Sequence, residues 1–278
     1  MYPGLHGFRR RSVRTESVFL PPPGFTTPQY KKDFEEVRDK GALQRRKRSV
    51  QEEITGLYWA YDGAKGLGTP PRLYNQAVRK IVEDTSTMPS TDDLARLFAL
   101  VHAGMADAGI VAWRAKYYYN LWRPVVGIRE DDPGTGPTSL GTGSTAKGDP
   151  FWEPYGAPRA NEAGLGKKNF TPNFPAYPSG HATFGTTVFE IVRRFFNVTN
   201  NNSLKFKLVS DELNGKTVDI DGSVRTYVNR EYTLNDAIKD NLESRVWLGV
   251  HWRFDGDAGK DAGEKVAEQV FTGSCFPP

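Results

Sequence analysis

The chain has 278 residues and a net charge of +4, with 37 basic and 33 acidic side chains. Residues 1–50 carry a net +7 and the remainder a net −3, so the basic excess stops at Arg48 and nucleic-acid binding by the whole chain is disfavoured. The single Cys275 excludes an intrachain disulfide framework, and the lack of an apolar run near 18 residues predicts no membrane span.

The first 53 residues differ in composition from the rest. Residues 1–30 are rich in Pro, Gly and Arg, and residues 31–53 are highly charged around Arg45–Arg48. This composition is typical of an extended arm followed by a solvated helix face or loop, with an anionic partner as the alternative for the basic cluster. We therefore predict an extended basic N-terminal arm over residues 1–53 and a helical domain over residues 54–278.

From residue 54 onward, the spacing of apolar residues predicts a series of helices. An apolar run over 54–63 contains Asp62, and a lone buried carboxylate there requires a cationic partner. The longest helix is predicted over 91–121, with Ser90 as its N-cap. Further helices are predicted over 72–84, 181–196, 234–248 and 258–271.

Two segments lack helical periodicity. Residues 129–172 are rich in Gly, Pro, Asp and Thr and are predicted to form a long loop, a type of segment that often carries function. Residues 197–233 are polar and irregular, with room for a short hairpin. Because other strand patterns are scarce, the predicted fold is mainly α, a helical bundle with long loops.

Three short stretches of the chain combine cations, histidines and the start of a helix. Arginine offers planar bidentate donors, lysine offers a point charge, and the N–H groups that open a helix add a positive dipole end. Together these groups suit the binding of a tetrahedral or trigonal-bipyramidal oxyanion. The candidate residues are Lys116, Arg123, Ser179, Gly180, His181, Arg245 and His251.

Two of the four histidines have neighbours that favour a chemical role over a structural one. His181 opens a predicted helix directly behind Ser179 and Gly180. His251 has Asp255 four residues further on, where a carboxylate could orient the imidazole. Arg245 and His251 are six residues apart, which would separate them on an unbroken helix, and a break at Gly249 is one way to bring them together.

The motifs themselves resemble those of a known superfamily. The pattern is similar to the three-part signature of the vanadium haloperoxidases and type 2 phosphatidic acid phosphatases, and most similar to that of fungal-type vanadium chloroperoxidases from about Gly56 to Gly256. The three motifs are Lys116-x6-Arg123-Pro124, Pro178-Ser179-Gly180-His181 and Ser244-Arg245-x5-His251-x3-Asp255.

This resemblance implies a vanadate cofactor, whose site phosphate can also occupy. It implies that His251 bonds vanadium, that His181 is the acid–base group, and that Asp62 pairs with Arg245. It further implies a set of residues that hold the equatorial oxygens and a pair that lines the halide pocket. The first set is Lys116, Arg123, Ser179, Gly180 and Arg245, and the pair is Trp113 and Phe174.

The resemblance also implies an activity, the oxidation of halide by hydrogen peroxide to hypohalous acid, with a small organic acceptor as a further partner. The apolar Phe174 favours the chloroperoxidase type, because the algal bromoperoxidases, which resemble this family, carry a second histidine there. Two alternatives stay open. One is an acid phosphatase in which His251 attacks phosphate and His181 protonates the leaving group. The other is an inactive oxyanion-binding fragment.

Chain length is the main departure from the resemblance. Fungal chloroperoxidases of this type are about twice as long and contain a second helical bundle ahead of the catalytic one, so the chain is either a short relative or a fragment. Apolar faces that the other bundle covers could here be covered by a second copy, which would make a homo-oligomer. The resemblance favours an extracellular location, although no hydrophobic signal core is visible.

Overall fold

The computed structural model describes residues 19–44, 47–85, 88–130, 148–164, 168–200 and 203–273. Its architecture is a helical bundle with one small sheet, which confirms the mainly α prediction. The helices are α1 (Pro28–Lys40), α2 (Val50–Tyr58), α3 (Pro70–Asp84), α4 (Thr91–Tyr119), α5 (Pro124–Arg129), α6 (Gly180–Phe195), α7 (Leu234–Trp247) and α8 (Arg253–Thr272).

Helix α6 lies at the centre of the bundle. All its residues from Gly180 to Phe189 are buried, and it packs between α4 and α8. Glycines of α8 permit this close approach, because a Cβ at Gly259 would lie 2.7 Å from the carbonyl oxygen of Ser179. The N-terminus of α6 is therefore enclosed by protein and not by water.

The small sheet is a hairpin-like pair that leads directly into α7. Strand β1 (Lys205–Val209) pairs antiparallel with β2 (Asn229–Thr233), and Lys205 lies opposite Thr233. Thr233 and Asp236 then form the reciprocal capping bonds that begin α7. The sequence prediction of a short hairpin and of this cap is confirmed.

The N-terminal segment differs from the extended arm predicted over residues 1–53. Residues 28–40 form α1, whose Tyr30, Phe34 and Val37 are buried in the main hydrophobic core. Arg48 is also buried, and its Nη1 donates to the carbonyl oxygens of Lys40 and Ala42. The helical spacing of the three apolar residues outweighs the high charge of the segment. Residues 1–18, 45 and 46 lie outside the described residues.

Helix α4 begins as predicted, because Ser90 Oγ accepts a hydrogen bond from the N–H of Asp93 at 3.1 Å. It ends at Tyr119, where Asn120 adopts a left-handed conformation with φ +46°. Arg123 is therefore not part of this helix and instead immediately precedes α5. Helix α8 begins at Arg253, five residues earlier than predicted.

The stretch Thr91–Arg129 meets a length and hydropathy criterion for a membrane-spanning helix, which the sequence prediction did not anticipate. Core helices of soluble proteins meet the same criterion, so it is weak evidence for a span. One side of α4 is buried against α6 and α8, with Leu97, Val101 and Met105 inaccessible to solvent. Its apolar character is accounted for in part by this packing.

The turn after α7 depends on Gly249. This residue has φ +71°, and a Cβ there would lie 2.3 Å from the carbonyl oxygen of Gly41. The left-handed conformation ends the helix as predicted and redirects the chain toward His251. The close approach of Gly41 ties the segment after α1 to this turn.

We expect Gly249→Ala to lower stability through two separate effects. The left-handed backbone costs about 1–2 kcal/mol for a residue with a Cβ, and the clash with Gly41 adds about 1–3 kcal/mol of overpacking. Gly164→Ala is the matched control, since Gly164 has φ +77° with no neighbouring atom within 4 Å. Urea denaturation should show the larger loss for Gly249→Ala, and equal losses would contradict the role of the Gly41 contact.

Candidate active site

A cavity of about 360 Å³ lies at the buried N-terminus of α6. It collects residues from the loop after α2, the end of α4, the segment before α6 and the turn after α7. Eight of the residues singled out from the sequence line it: Asp62, Trp113, Arg123, Phe174, Gly180, His181, Arg245 and His251. Lys116, Ser179 and Asp255 are buried directly behind this lining.

Arg245 is held by the carboxylate predicted to pair with a cation. Its Nη1 and Nη2 donate to the two oxygens of Asp62 at 2.9 and 2.8 Å, a bidentate pair. Arg245 is 1% exposed, and its Nε has no hydrogen-bond partner among the described residues. A buried N–H group without an acceptor is costly, so this one indicates a missing ligand.

Arg123 is fixed mainly by backbone carbonyls. Its Nε donates to Phe174 at 2.8 Å and its Nη1 to Val250 at 2.7 Å. Its Nη2 is buried with no partner in the described part of the chain. Burial lowers the pKa of Arg123 to about 9, with Arg245 adding to the shift and Asp255 opposing it.

Lys116 uses its three donors on the loop before α6. Its Nζ lies 3.1, 2.9 and 2.5 Å from the carbonyl oxygens of Pro175, Ala176 and Pro178. Burial, followed by the charge of Arg123, lowers its pKa well below the ordinary value. The three carbonyl acceptors hold the ammonium group behind the cavity, where it shapes the loop and contributes positive potential.

His251 is oriented through Asp255, as the sequence spacing predicted. Its Nδ1 lies 2.9 Å from Asp255 Oδ2, and its Nε2 lies 3.0 Å from Nη1 of Arg123. Because the guanidinium can only donate, Nε2 is the acceptor and Nδ1 carries the proton. Burial, with Arg123 as the next cause, lowers the pKa of His251 well below its ordinary value, so Nε2 stays unprotonated and accepts the hydrogen bond from Arg123.

His181 is held by a backbone group that sequence analysis did not identify. Its Nε2 lies 2.5 Å from the carbonyl oxygen of Ala60, so Nε2 carries the proton and Nδ1 is an acceptor. Its own carbonyl oxygen accepts from Tyr74 Oη at 2.9 Å and from Asn241 Nδ2 at 2.8 Å. Burial, with the positive charge of Arg245 as the next cause, lowers the pKa of His181 to about 3.

Three aromatic rings form one wall of the cavity. The centroid of Trp113 lies 5.1 Å from that of Phe174 and 6.0 Å from that of Phe184. A Cβ at Gly180 would lie 3.0 Å from the Trp113 ring, so glycine lets the ring cover the start of α6. Phe184 was missed by sequence analysis, although its position one helical turn after Gly180 places it on the same side of α6.

The charge balance of the site fits an oxyanion. Lys116, Arg123 and Arg245 are buried against two carboxylates, Asp62 and Asp255, which leaves an excess of positive charge. Unsatisfied N–H groups of both arginines and the first N–H groups of α6 can serve as further donors. Within the described ranges, no group of three or more His, Cys, Asp or Glu side chains could hold a metal ion. The cationic donors of the cavity suit a bound oxyanion.

Comparison with known proteins identifies the family. Residues 96–274 match the family model of the VCPO second helical-bundle domain. The chain belongs to this family. Over 249 residues it is 41% identical to the vanadium chloroperoxidase of Curvularia inaequalis. This match covers 79% of the present chain and 39% of that protein, so the chain spans well under half the length of its relative.

Solved structures share the fold of this chain. A bacterial vanadium-dependent iodoperoxidase superposes with a TM-score of 0.61 and 20% identity over 91% of this chain and 51% of that one. The holo form of a bacterial vanadium-dependent chloroperoxidase superposes with a TM-score of 0.62 and 18% identity, over 91% of this chain and 50% of that one. Asp62 precedes the residues matched by the VCPO family model, yet it provides the bidentate partner of Arg245.

The lowered pKa of His181 leads to a test in the absence of any anion. A histidine in a short peptide titrates near pH 6.5, whereas a pKa of about 3 keeps His181 neutral at any pH well above that value. Its imidazole ¹⁵N chemical shifts should therefore stay constant from pH 8 to pH 5, with His181→Gln used to assign the signals. A titration midpoint within this range would contradict the buried, cation-flanked environment.

Proposed function

We propose that this chain is the vanadate-binding half of a vanadium-dependent haloperoxidase of chloroperoxidase type. It would oxidise halide with hydrogen peroxide to hypohalous acid. The observation that carries the proposal is the buried excess of positive charge around a neutral His251, with unpartnered donors on Arg123 and Arg245. The 41% identity to the Curvularia enzyme supports it, although that enzyme is much longer.

The residues that would hold vanadate follow from the unpartnered donors of the two arginines and from the unprotonated Nε2 of His251. That nitrogen accepts a hydrogen bond from Arg123 Nη1, which bound vanadate would replace. His251 would bond vanadium through Nε2, because Asp255 already fixes Nδ1. Arg123, Arg245 and the N–H of Gly180 would donate to its oxygens, while Lys116 and Ser179 support the loop from behind. When bound, vanadate would supply a Lewis acid that activates hydrogen peroxide toward attack by halide.

His181 would accept and release the proton of hydrogen peroxide. Its Nε2–H is committed to the Ala60 carbonyl, so Nδ1 is the atom free to accept a proton from hydrogen peroxide. The lowered pKa keeps that nitrogen unprotonated in the empty site. Negative charge on a bound oxyanion would raise the pKa of His181 toward the range in which it can accept and release a proton.

The aromatic wall would receive the halide. Trp113, Phe174 and Phe184 exclude water from one side of the cavity, while the edges of aromatic rings carry partial positive charge. Arg123 lies over the Phe174 ring, with its Cζ 4.9 Å from the centroid. A halide there would meet a dry surface near fixed cations, which favours its attack as a nucleophile.

An acid phosphatase is the second candidate, because the same cationic site and the neutral Nε2 of His251 also suit phosphate. Two assays on the purified chain, each with and without orthovanadate, separate the candidates. Halide-dependent oxidation of monochlorodimedone with hydrogen peroxide supports the haloperoxidase. Turnover of a phosphate ester without halide oxidation would replace it with the phosphatase, and neither activity would indicate an inactive oxyanion-binding fragment.

We expect His251→Ala to abolish most peroxidase activity while weak anion binding persists. The substitution removes the lone pair that would bond vanadium but leaves the three buried cations in place. Activity should be measured at saturating orthovanadate, with phosphate binding followed by calorimetry. His102→Ala on the exposed face of α4 is the control. Wild-type turnover in His251→Ala would show that this residue is not the ligand.

We expect Phe174→His to reduce chloride oxidation more than bromide oxidation. Chloride is harder to oxidise and requires the stronger electrophile, and a polar imidazole would bring water and a titratable group to the wall. Phe174→Leu, which keeps the wall apolar, is the matched control. The measurement is the ratio of kcat/KM for the two halides. An equal loss for both would show that Phe174 acts in core packing alone.

A further inference from the structure

A buried ion pair lies outside the cavity, in the polar segment between the two strands. Glu212 belongs to a 3-10 turn over Asp211–Leu213 and is fully buried. Its Oε2 accepts from Arg225 Nη1 at 2.6 Å, and Arg225 also contacts Asp219. Burial raises the pKa of Glu212 to about 7 against the pull of Arg225. Burying a carboxylate costs free energy, so the other hydrogen bonds of Glu212 indicate why the fold keeps it.

The second oxygen of Glu212 reaches the backbone of a strained residue. Oε1 accepts a hydrogen bond from the N–H of Tyr61 at 3.2 Å. Tyr61 has φ +44°, the left-handed region that bulky side chains rarely adopt. Its ring is fully buried, and its hydroxyl accepts from the N–H of Asp211 at 2.7 Å. The 3-10 turn therefore holds Tyr61 at both its backbone and its ring.

Tyr61 lies between two residues that contact the active site. The carbonyl oxygen of Ala60 accepts from His181 Nε2, and the carboxylate of Asp62 binds Arg245 bidentately. The left-handed turn at Tyr61 lets neighbouring residues serve a histidine and an arginine on two different helices, α6 and α7. A shift of this segment would displace both partners together.

We propose that Glu212 is a positioning residue for the oxyanion site. By accepting the Tyr61 N–H, it fixes the segment 60–62 that orients His181 and Arg245, and Arg225 keeps its carboxylate in place. The inference rests on the proposed function in one respect, namely that the cavity binds an oxyanion. Glu212 does not line the cavity, so it acts on the site only through the position of residues 60–62.

Two double variants distinguish the positioning role of Glu212 from the effect of losing its ion pair with Arg225. Glu212→Leu with Arg225→Met removes both charges and leaves the Tyr61 N–H without an acceptor. Glu212→Gln with Arg225→Met removes the same charges but keeps a side-chain oxygen for that N–H. Replacing a buried ion pair by apolar groups is often tolerated, so both proteins are expected to fold, and circular dichroism melts verify this.

The dissociation constants of orthovanadate and inorganic phosphate are then measured by calorimetry. We expect the Leu/Met variant to bind both about tenfold more weakly than wild type, since one buried donor is left unsatisfied unless the segment moves. The Gln/Met variant should stay within about threefold of wild type, as its acceptor is retained. The His181 imidazole ¹⁵N shifts should change in the Leu/Met variant alone, because the Ala60 carbonyl moves with Tyr61.

Equal anion affinities and equal His181 shifts in the two double variants would overturn the positioning role. That outcome leaves the proposed function intact, provided that wild type binds both anions and oxidises halide. If wild type binds neither anion, the proposed function fails and the positioning role fails with it. If wild type binds anions without halide oxidation, the contrast between the variants still decides the role of Glu212.

Discussion

Uncompensated positive charge, buried at the N-terminus of α6, is the constraint on which the rest of the structure depends. Lys116, Arg123 and Arg245 are all but inaccessible to water, and two carboxylates offset them in part. The protein solvates the cations with backbone carbonyls instead. Lys116 and Arg123 donate to the carbonyls of Phe174, Pro175, Ala176, Pro178 and Val250, so these irregular segments acquire a fixed shape without regular secondary structure.

The same constraint explains why the two histidines stay neutral yet differ in role. Each uses one ring N–H for orientation and keeps the other ring nitrogen unprotonated, and in His251 that nitrogen accepts a hydrogen bond from Arg123. His251 is oriented by a carboxylate, which strengthens its nitrogen as a ligand, whereas His181 is oriented by a neutral carbonyl. Identical side chains in one cationic cavity are thereby given different chemistry by the group behind each ring.

Sequence spacing singled out residues that the structure brings to one cavity, but it did not predict how their side chains are held. Lys116 lies in α4, whereas Arg123 follows the end of that helix, and the two meet through the carbonyls of one loop. Every residue type has a backbone carbonyl, so the sequence could not predict which carbonyls bind Lys116 and His181. The contact between Tyr61 and Glu212 spans 151 positions, and nothing local in the sequence links them.

The helical prediction succeeded from residue 54 onward because apolar periodicity reflects packing directly, whereas composition misled it for α1, where charged residues conceal a buried stripe. That helix matters to the site through the contact between Gly41 and Gly249. The turn carrying His251 rests on backbone from a segment with none of the signature residues. A shortened protein starting at residue 54 would keep every motif but lose the backbone of Gly41, against which the turn before His251 packs. The position of His251 therefore depends on residues that no motif includes.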